Sequence, residues 1–76
     1  MDIKILGTGC PKCKQLEANA REAVAALGNG ATVEKVSELA KIMEYGVMMT
    51  PALVVDGEVK ASGKVLSAAQ IQELLK

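Results

Sequence analysis

The sequence predicts an α/β fold in which a mixed four-stranded sheet is flanked by three helices, in the chain order βαβαββα. Short apolar runs alternate with segments in which apolar residues recur every three or four positions, the patterns of strands and amphipathic helices. Asp56-Gly57 separates the last two apolar runs, which is a strong signal for an antiparallel hairpin. The strand, helix, strand order at the start implies a right-handed parallel crossover.

Residues 2–6 form the first predicted strand and residues 12–27 the body of the first predicted helix. Pro11 suits the first helical position, because the N–H that proline lacks would have no partner within the helix. Cys10 then takes the capping position, and Cys13 falls on the apolar stripe. Side chains at these two positions face each other, so the sulfurs can approach within the distance that a disulfide needs.

Residues 31–36 form the second predicted strand, in which the alternation is imperfect. Ser37 is expected to cap a second helix whose apolar positions are Leu39, Ile42 and Met43. Because this helix is short, packing must hold it.

The last third of the chain carries the hairpin and a final helix. Residues 52–55 and 58–62 are its two predicted strands. Gly63 is expected to mark a bulge or a close backbone approach. Ser67, with Gln70 three positions later, forms a capping box that opens the last helix.

Composition limits the function classes. The chain has 76 residues, 50% of them hydrophobic, so we expect one domain over residues 1–76 with a buried core. Nine basic and nine acidic residues cancel, and Tyr45 is the only aromatic residue. Neither an electrostatic footprint nor a stacking platform for nucleic acid is therefore present. We expect a monomer that binds neither nucleic acid nor membrane.

The start of the chain and the cysteine count indicate the compartment. No basic leader or cleavage site precedes the first strand, and no stretch approaches membrane-spanning length. A cytoplasmic, reducing location is therefore expected. There, a lone pair of cysteines is more often catalytic or metal-binding than structural.

The two cysteines stand where a thiolate is favoured. A helix N-terminus carries about half a positive charge, and Lys12 and Lys14 flank the site. We expect Cys10 to be the reactive thiol, with a pKa below its ordinary value, and Cys13 to be a shielded resolving thiol. Residues 7–9, Gly-Thr-Gly, are interpreted as a flexible turn that lets the backbone approach whatever docks at Cys10.

Three functions are compatible with a C-x-x-C pair. A structural disulfide is the least favoured, because so short a loop would contribute only about 2 kcal/mol. Two thiolates also suit Cu(I) or Zn in a metal-carrying module, although zinc normally takes four ligands and the chain has no His and no further Cys. A thiol-disulfide oxidoreductase is favoured, because C-x-x-C near a βαβ pattern is a strong redox signal.

Three stretches carry a resemblance to a known family: Gly9-Cys10-Pro11-Lys12-Cys13, Thr50-Pro51, and Val54-Val55-Asp56-Gly57-Glu58-Val59 ahead of Gly63. Over its whole length the chain resembles the small archaeal and bacterial thioredoxin/glutaredoxin-like redox proteins, which have the thioredoxin fold. The resemblance implies an enzyme that reduces disulfide-containing protein substrates and receives electrons from a thioredoxin-reductase-type donor.

The resemblance also implies roles for individual residues. The first cysteine of the motif is the nucleophile in this family and the second resolves, so these roles fall on Cys10 and Cys13. In this family the proline before the third strand is cis and lies against the disulfide. Pro51 takes that position, and the backbone of Thr50, which precedes it, would pair with substrate. Substrate contacts are expected at Thr50, Pro51, Pro11, Lys12 and Gly63.

Some positions depart from the family pattern. Gly9 stands where ordinary thioredoxins have Trp, and Lys4 stands at the site of their buried carboxylate. Lys12 replaces the Tyr of glutathione-using glutaredoxins, and the paired glycines of their glutathione site are not evident. Glutathione is therefore not an expected cofactor. No other cofactor and no metal-site residue is predicted, and the soft-metal carrier stays open as the alternative function.

Two further features have competing interpretations. Met48 and Met49 suit a soft metal, but a Met pair bordering a strand is more often core or an adaptable docking surface. Tyr45 is expected to be half-buried with its hydroxyl in water. Metal-carrying modules of similar length end on a strand, whereas residues 67–76 predict a helix, so topology discriminates between the two classes.

Overall fold

The computed structural model describes residues 2–9, 11–28 and 30–75, and their elements follow the predicted order. In this part of the chain the elements are β1 (Asp2–Leu6), α1 (Pro11–Leu27), β2 (Thr32–Val36), α2 (Leu39–Glu44), β3 (Ala52–Val55), β4 (Glu58–Ser62) and α3 (Ala68–Leu75). The predicted strand bounds agree with these, except that β2 begins one residue later than expected. None of these helices combines the length and apolar character that crossing a membrane requires.

The strands form one mixed sheet in the order β2-β1-β3-β4. β1 is parallel to β2 and antiparallel to β3, and β4 pairs antiparallel with β3 at an edge. The predicted hairpin is confirmed. Asp56 and Gly57 have φ angles of 51° and 82°, and positive φ at both central residues is what a two-residue hairpin turn of this hand requires.

Helices cover both faces of the sheet. On one face, Ile5 packs with Leu16 of α1 and Ile71 of α3 in a buried apolar cluster. On the other face, Leu6 packs with Ile42 of α2. Neighbouring residues of β1 thus point into opposite clusters, as strand geometry requires. The end of β1 is consequently enclosed from both sides.

The predicted capping box of α3 is confirmed. The Gln70 N–H donates to Ser67 Oγ at 3.2 Å, and the Ser67 N–H donates to Gln70 Oε1 at 2.9 Å. Two backbone donors near the helix start are thereby satisfied by side chains.

The predicted cap of α2 is wrong. The N-cap residue is Glu38, one position after Ser37, and it makes no side-chain capping hydrogen bond. Of the three apolar positions only Ile42 is buried, whereas Leu39 and Met43 are 64% and 65% exposed. Leu39 and Met43 share the helix face of Ile42, as their spacing requires, but they line an open depression at the surface instead of packing on the sheet.

Gly63 follows β4 and is not a bulge. The additional residue in the β3–β4 ladder is Lys60, which lies between the paired residues Val59 and Ala61. Gly63 fits the other expectation, a close backbone approach, because its N–H donates to the Pro51 carbonyl oxygen at 2.8 Å.

Candidate functional site

Cys13 lies on the first turn of α1 and is 2% exposed. Pro11 is the first residue of this helix, as predicted, and both Pro11 and Lys12 are exposed. Cys10 lies outside the described residues, so its capping position and its distance from Cys13 stay predictions. A sulfur buried as deeply as that of Cys13 is open to a neighbour within the chain and closed to another protein.

Gly7 makes the closest approach to Cys13. It is buried, and its N–H donates to the Val36 carbonyl oxygen at 3.0 Å, which extends the β1–β2 ladder by one residue. A Cβ built on Gly7 would overlap the Cys13 Sγ and would lie 3.0 Å from the Cys13 Cβ and 4.0 Å from the Pro51 Cα. Gly7, Cys13 and Pro51 therefore meet at one point.

The sequence did not identify this role of Gly7. Residues 7–9 bend as the predicted turn requires, and Gly9 has a positive φ of 92°. Gly7, however, is buried and hydrogen-bonded, so the expectation of flexibility is wrong for it. The missed signal was strand alternation. Ile3 and Ile5 face α1, and a period of two puts Gly7 on that same face, where the helix carries Cys13.

The loop before β3 lies beside Gly7. The Thr50–Pro51 peptide bond is cis, as the resemblance implied, and Pro51 is buried while Thr50 is exposed. The hydrogen bond from the Gly63 N–H to the Pro51 carbonyl places Gly63 on the same loop. Of the predicted substrate contacts, Thr50, Pro51 and Gly63 are therefore together, and Pro51 joins them to Cys13 through Gly7.

Positive side chains lie around the start of α1. Lys12 and Lys14 are exposed on its first turn. Lys35 of β2 brings its Nζ to 3.9 Å from the position of a Cβ on Gly9, the residue that precedes Cys10. Positive charge next to a cysteine favours its thiolate. Lys35 was not found from the sequence because the pairing of β1 with β2 brings it there.

Lys4 stands on β1 and pairs with Tyr45. A side-chain hydrogen bond to Tyr45, together with attraction to its oxygen, raises the pKa of Lys4 above its ordinary 10.5, and Asp2 and Glu34 act in the same direction. Tyr45 is half-buried against the α2 side of the sheet. At the site of the buried carboxylate of ordinary thioredoxins, this chain thus has a Lys4 amine that is hydrogen-bonded to Tyr45.

An apolar groove of about 350 Å³ adjoins Thr50. It is lined by Thr8, Leu39, Ile42, Met43, Val47, Met48 and Thr50. Met48 is 97% exposed and Met49 is 63% exposed, so the interpretation of this pair as core is wrong. The interpretations as a docking surface and as soft-metal ligands stay predictions. A larger open depression of about 490 Å³ between β4 and α3 contains none of the predicted site residues.

Comparison with known proteins gives one family. The family described as a thioredoxin domain matches residues 1–76. A thioredoxin of Methanothermobacter thermautotrophicus is 49% identical over 75 residues, which are 99% of this chain and 97% of that protein. A thioredoxin of Methanocaldococcus jannaschii is 42% identical over 74 residues, which are 97% of this chain and 85% of that protein.

Proposed function

This chain belongs to the thioredoxin family and is a thiol-disulfide oxidoreductase, and we propose that Cys10 and Cys13 carry its reaction. The family, the α/β fold and the activity predicted from the sequence are confirmed. The observation that best supports the proposed site is the meeting of Gly7, Cys13 and Pro51, because it places a buried cysteine against the loop that contains Thr50.

The two cysteines have different roles. Cys10, as a thiolate, attacks one sulfur of the substrate disulfide, and the second substrate sulfur leaves as a thiolate and takes up a proton. Cys13, after losing its proton, attacks the Cys10 sulfur, and the remaining substrate sulfur leaves in the same way. The substrate disulfide is reduced by two electrons and the cysteine pair is oxidised to a disulfide. Burial of Cys13 suits a thiol that attacks only within the chain.

The substrates we infer are disulfide-containing proteins. Thr50, Pro51 and Gly63 form one loop surface, and Pro11 and Lys12 are exposed at the start of α1. The apolar groove next to Thr50 favours a protein partner, because an extended segment whose backbone pairs with Thr50 can place an apolar side chain in the groove. Methionines in such a groove adapt to partners of different shape.

A reductase of the thioredoxin-reductase type is the electron donor we infer. We also infer that the chain forms one domain over residues 1–76, acts as a monomer and is located in the cytoplasm. The two buried clusters on either face of a single sheet support one domain, and the use of its two cysteines supports a reducing compartment. Neither nucleic acid, membrane nor a cofactor has a part in this function.

Topology favours the oxidoreductase over a metal-carrying module. The described part of the chain ends with helix α3, where such modules end on a strand.

A trapping experiment tests the roles of the cysteines. The Cys13→Ser variant, incubated with a protein that contains a disulfide, is expected to accumulate a mixed disulfide at Cys10, because the resolving thiol is missing. The Cys10→Ser variant is the matched control and should form no adduct. Mass spectrometry of the adducts decides the matter, and equal trapping by both variants would show that the roles are not divided in this way.

A further inference from the structure

We propose that Gly7 is a positioning residue for Cys13, in a role that rests on the resolving function proposed above. The absence of a side chain at Gly7 leaves the space that the Cys13 sulfur occupies. A Cβ at this position would overlap the Cys13 Sγ. The size of residue 7 therefore controls where the resolving sulfur lies.

Space, and not backbone freedom, accounts for this glycine. Among the described glycines, Gly9, Gly28, Gly30, Gly46, Gly57 and Gly63 have positive φ, and Gly7 does not. The φ of Gly7 thus lies outside the left-handed region, in which L residues are strained. What another residue lacks is room, since Cys13 lies on one side and Pro51 on another.

The surroundings leave the sulfur as the group that must move. The Gly7 backbone is held by its hydrogen bond to the Val36 carbonyl oxygen, so it cannot retreat without breaking the end of the β1–β2 ladder. Pro51 is buried, with its Cα 4.0 Å from the added Cβ. A methyl group at residue 7 therefore displaces the Cys13 side chain more readily than either backbone.

The resolving step depends on this position. In that step the Cys13 thiolate attacks the Cys10 sulfur, the bond between the two cysteines forms, and the bond from Cys10 to the partner sulfur breaks. The partner leaves as a thiolate and takes up a proton from water. A misplacement of about 1 Å in a reacting group costs up to about 100-fold in rate. In the preceding attack by Cys10, the Cys13 sulfur neither forms nor breaks a bond.

Gly7→Ala separates the two steps. Rapid-quench measurements with a disulfide-containing protein are expected to show an unchanged rate of mixed-disulfide formation and a resolution rate lowered about tenfold or more. The mixed disulfide should accumulate transiently, as in a weak form of Cys13→Ser. Ile71→Val, which perturbs the core beside α3, is the control and should not accumulate it. Equal slowing of both steps, or unchanged resolution, overturns the role of Gly7.

A second variant keeps the test decisive if Gly7→Ala does not fold. Cys13→Ala removes the sulfur that the added methyl group overlaps and leaves only the contact with the Cys13 Cβ at 3.0 Å. Gly7→Ala/Cys13→Ala should therefore fold, with the circular dichroism spectrum of Cys13→Ala and a urea midpoint only slightly below it. A double variant that stays unfolded shows that the conflict is not with the sulfur and overturns the proposal. Failure of the proposed function would appear separately, as absence of any adduct with Cys13→Ser.

Discussion

Replacement of Met48 by alanine is expected to weaken the binding of protein substrates without changing the chemistry at the cysteines. Met48 lines the apolar groove beside Thr50 and lies outside the contact between Gly7 and Cys13. It is 97% exposed, so the folded protein gains almost nothing from its packing. Its loss should therefore leave stability unchanged and act only in the complex.

The size of the effect follows from what Met48 can bury. The substitution removes three heavy atoms, and at about 0.8 kcal/mol per buried CH₂ their burial stabilises a complex by about 2 kcal/mol. Ordering a flexible side chain at an interface costs about 1 kcal/mol. The net loss is about 1 kcal/mol, which corresponds to about a fivefold rise in KM. Because a docking contact at Met48 would be the same in the ground state and in the transition state, kcat should not change.

Steady-state reduction of two substrates provides the assay. With a disulfide-containing protein, KM should rise for Met48→Ala, whereas with a small polar disulfide, which lacks an apolar group to fill the groove, it should stay at the wild-type value. Leu74→Ala is the matched control, since Leu74 is an exposed apolar residue of α3 away from the groove. An unchanged KM for the protein substrate, or an equal rise for the small disulfide, would refute docking in this groove.

Three further outcomes are expected. Ser67→Ala should lower the free energy of unfolding by about 1 kcal/mol in urea titrations, because Gln70 loses its capping partner, and a change near zero would contradict this. Alkylation of Cys10 should show an inflection below the ordinary thiol pKa of about 8.5; faster labelling of the buried cysteine would count against it. The hydrogen bond to Tyr45 raises the pKa of Lys4, so the charged Lys4 amine stabilises the folded state. This contribution is complete below pH 10.5 and is lost as pH rises through the raised pKa. Alkaline unfolding should therefore be steeper in wild type than in Lys4→Met.

Local chemistry made much of the fold predictable. Three correctly predicted features depend on residues only a few positions apart. They are the turn at Asp56 and Gly57, the capping box of Ser67 and Gln70, and the start of α1 at Pro11. Such signals are decided by backbone conformation and by hydrogen bonds within one turn. The predicted cap of α2 was wrong although Ser37 is a good cap chemically, because the helix starts one residue later with Glu38 as its N-cap.

The family and its activity were also accessible from the sequence, since spacing and order of short motifs carry them. Cys13 on the apolar stripe of α1 and Pro51 before β3 occupy the positions that the resemblance implied. Cys10 was singled out by the same motif, and its role remains a prediction.

Only the tertiary structure decided what surrounds these residues. The Cys13 sulfur lies against Gly7, and the Lys35 amine lies beside Gly9; both contacts are between segments that are distant in sequence. The exposure of Met48 likewise depends on how the elements around it pack. Their distances depend on how β1 pairs with β2 and how α1 and α2 pack on opposite faces of the sheet. Close packing sets such distances to within a fraction of an ångström, and no periodicity or spacing along the chain encodes a dimension that small.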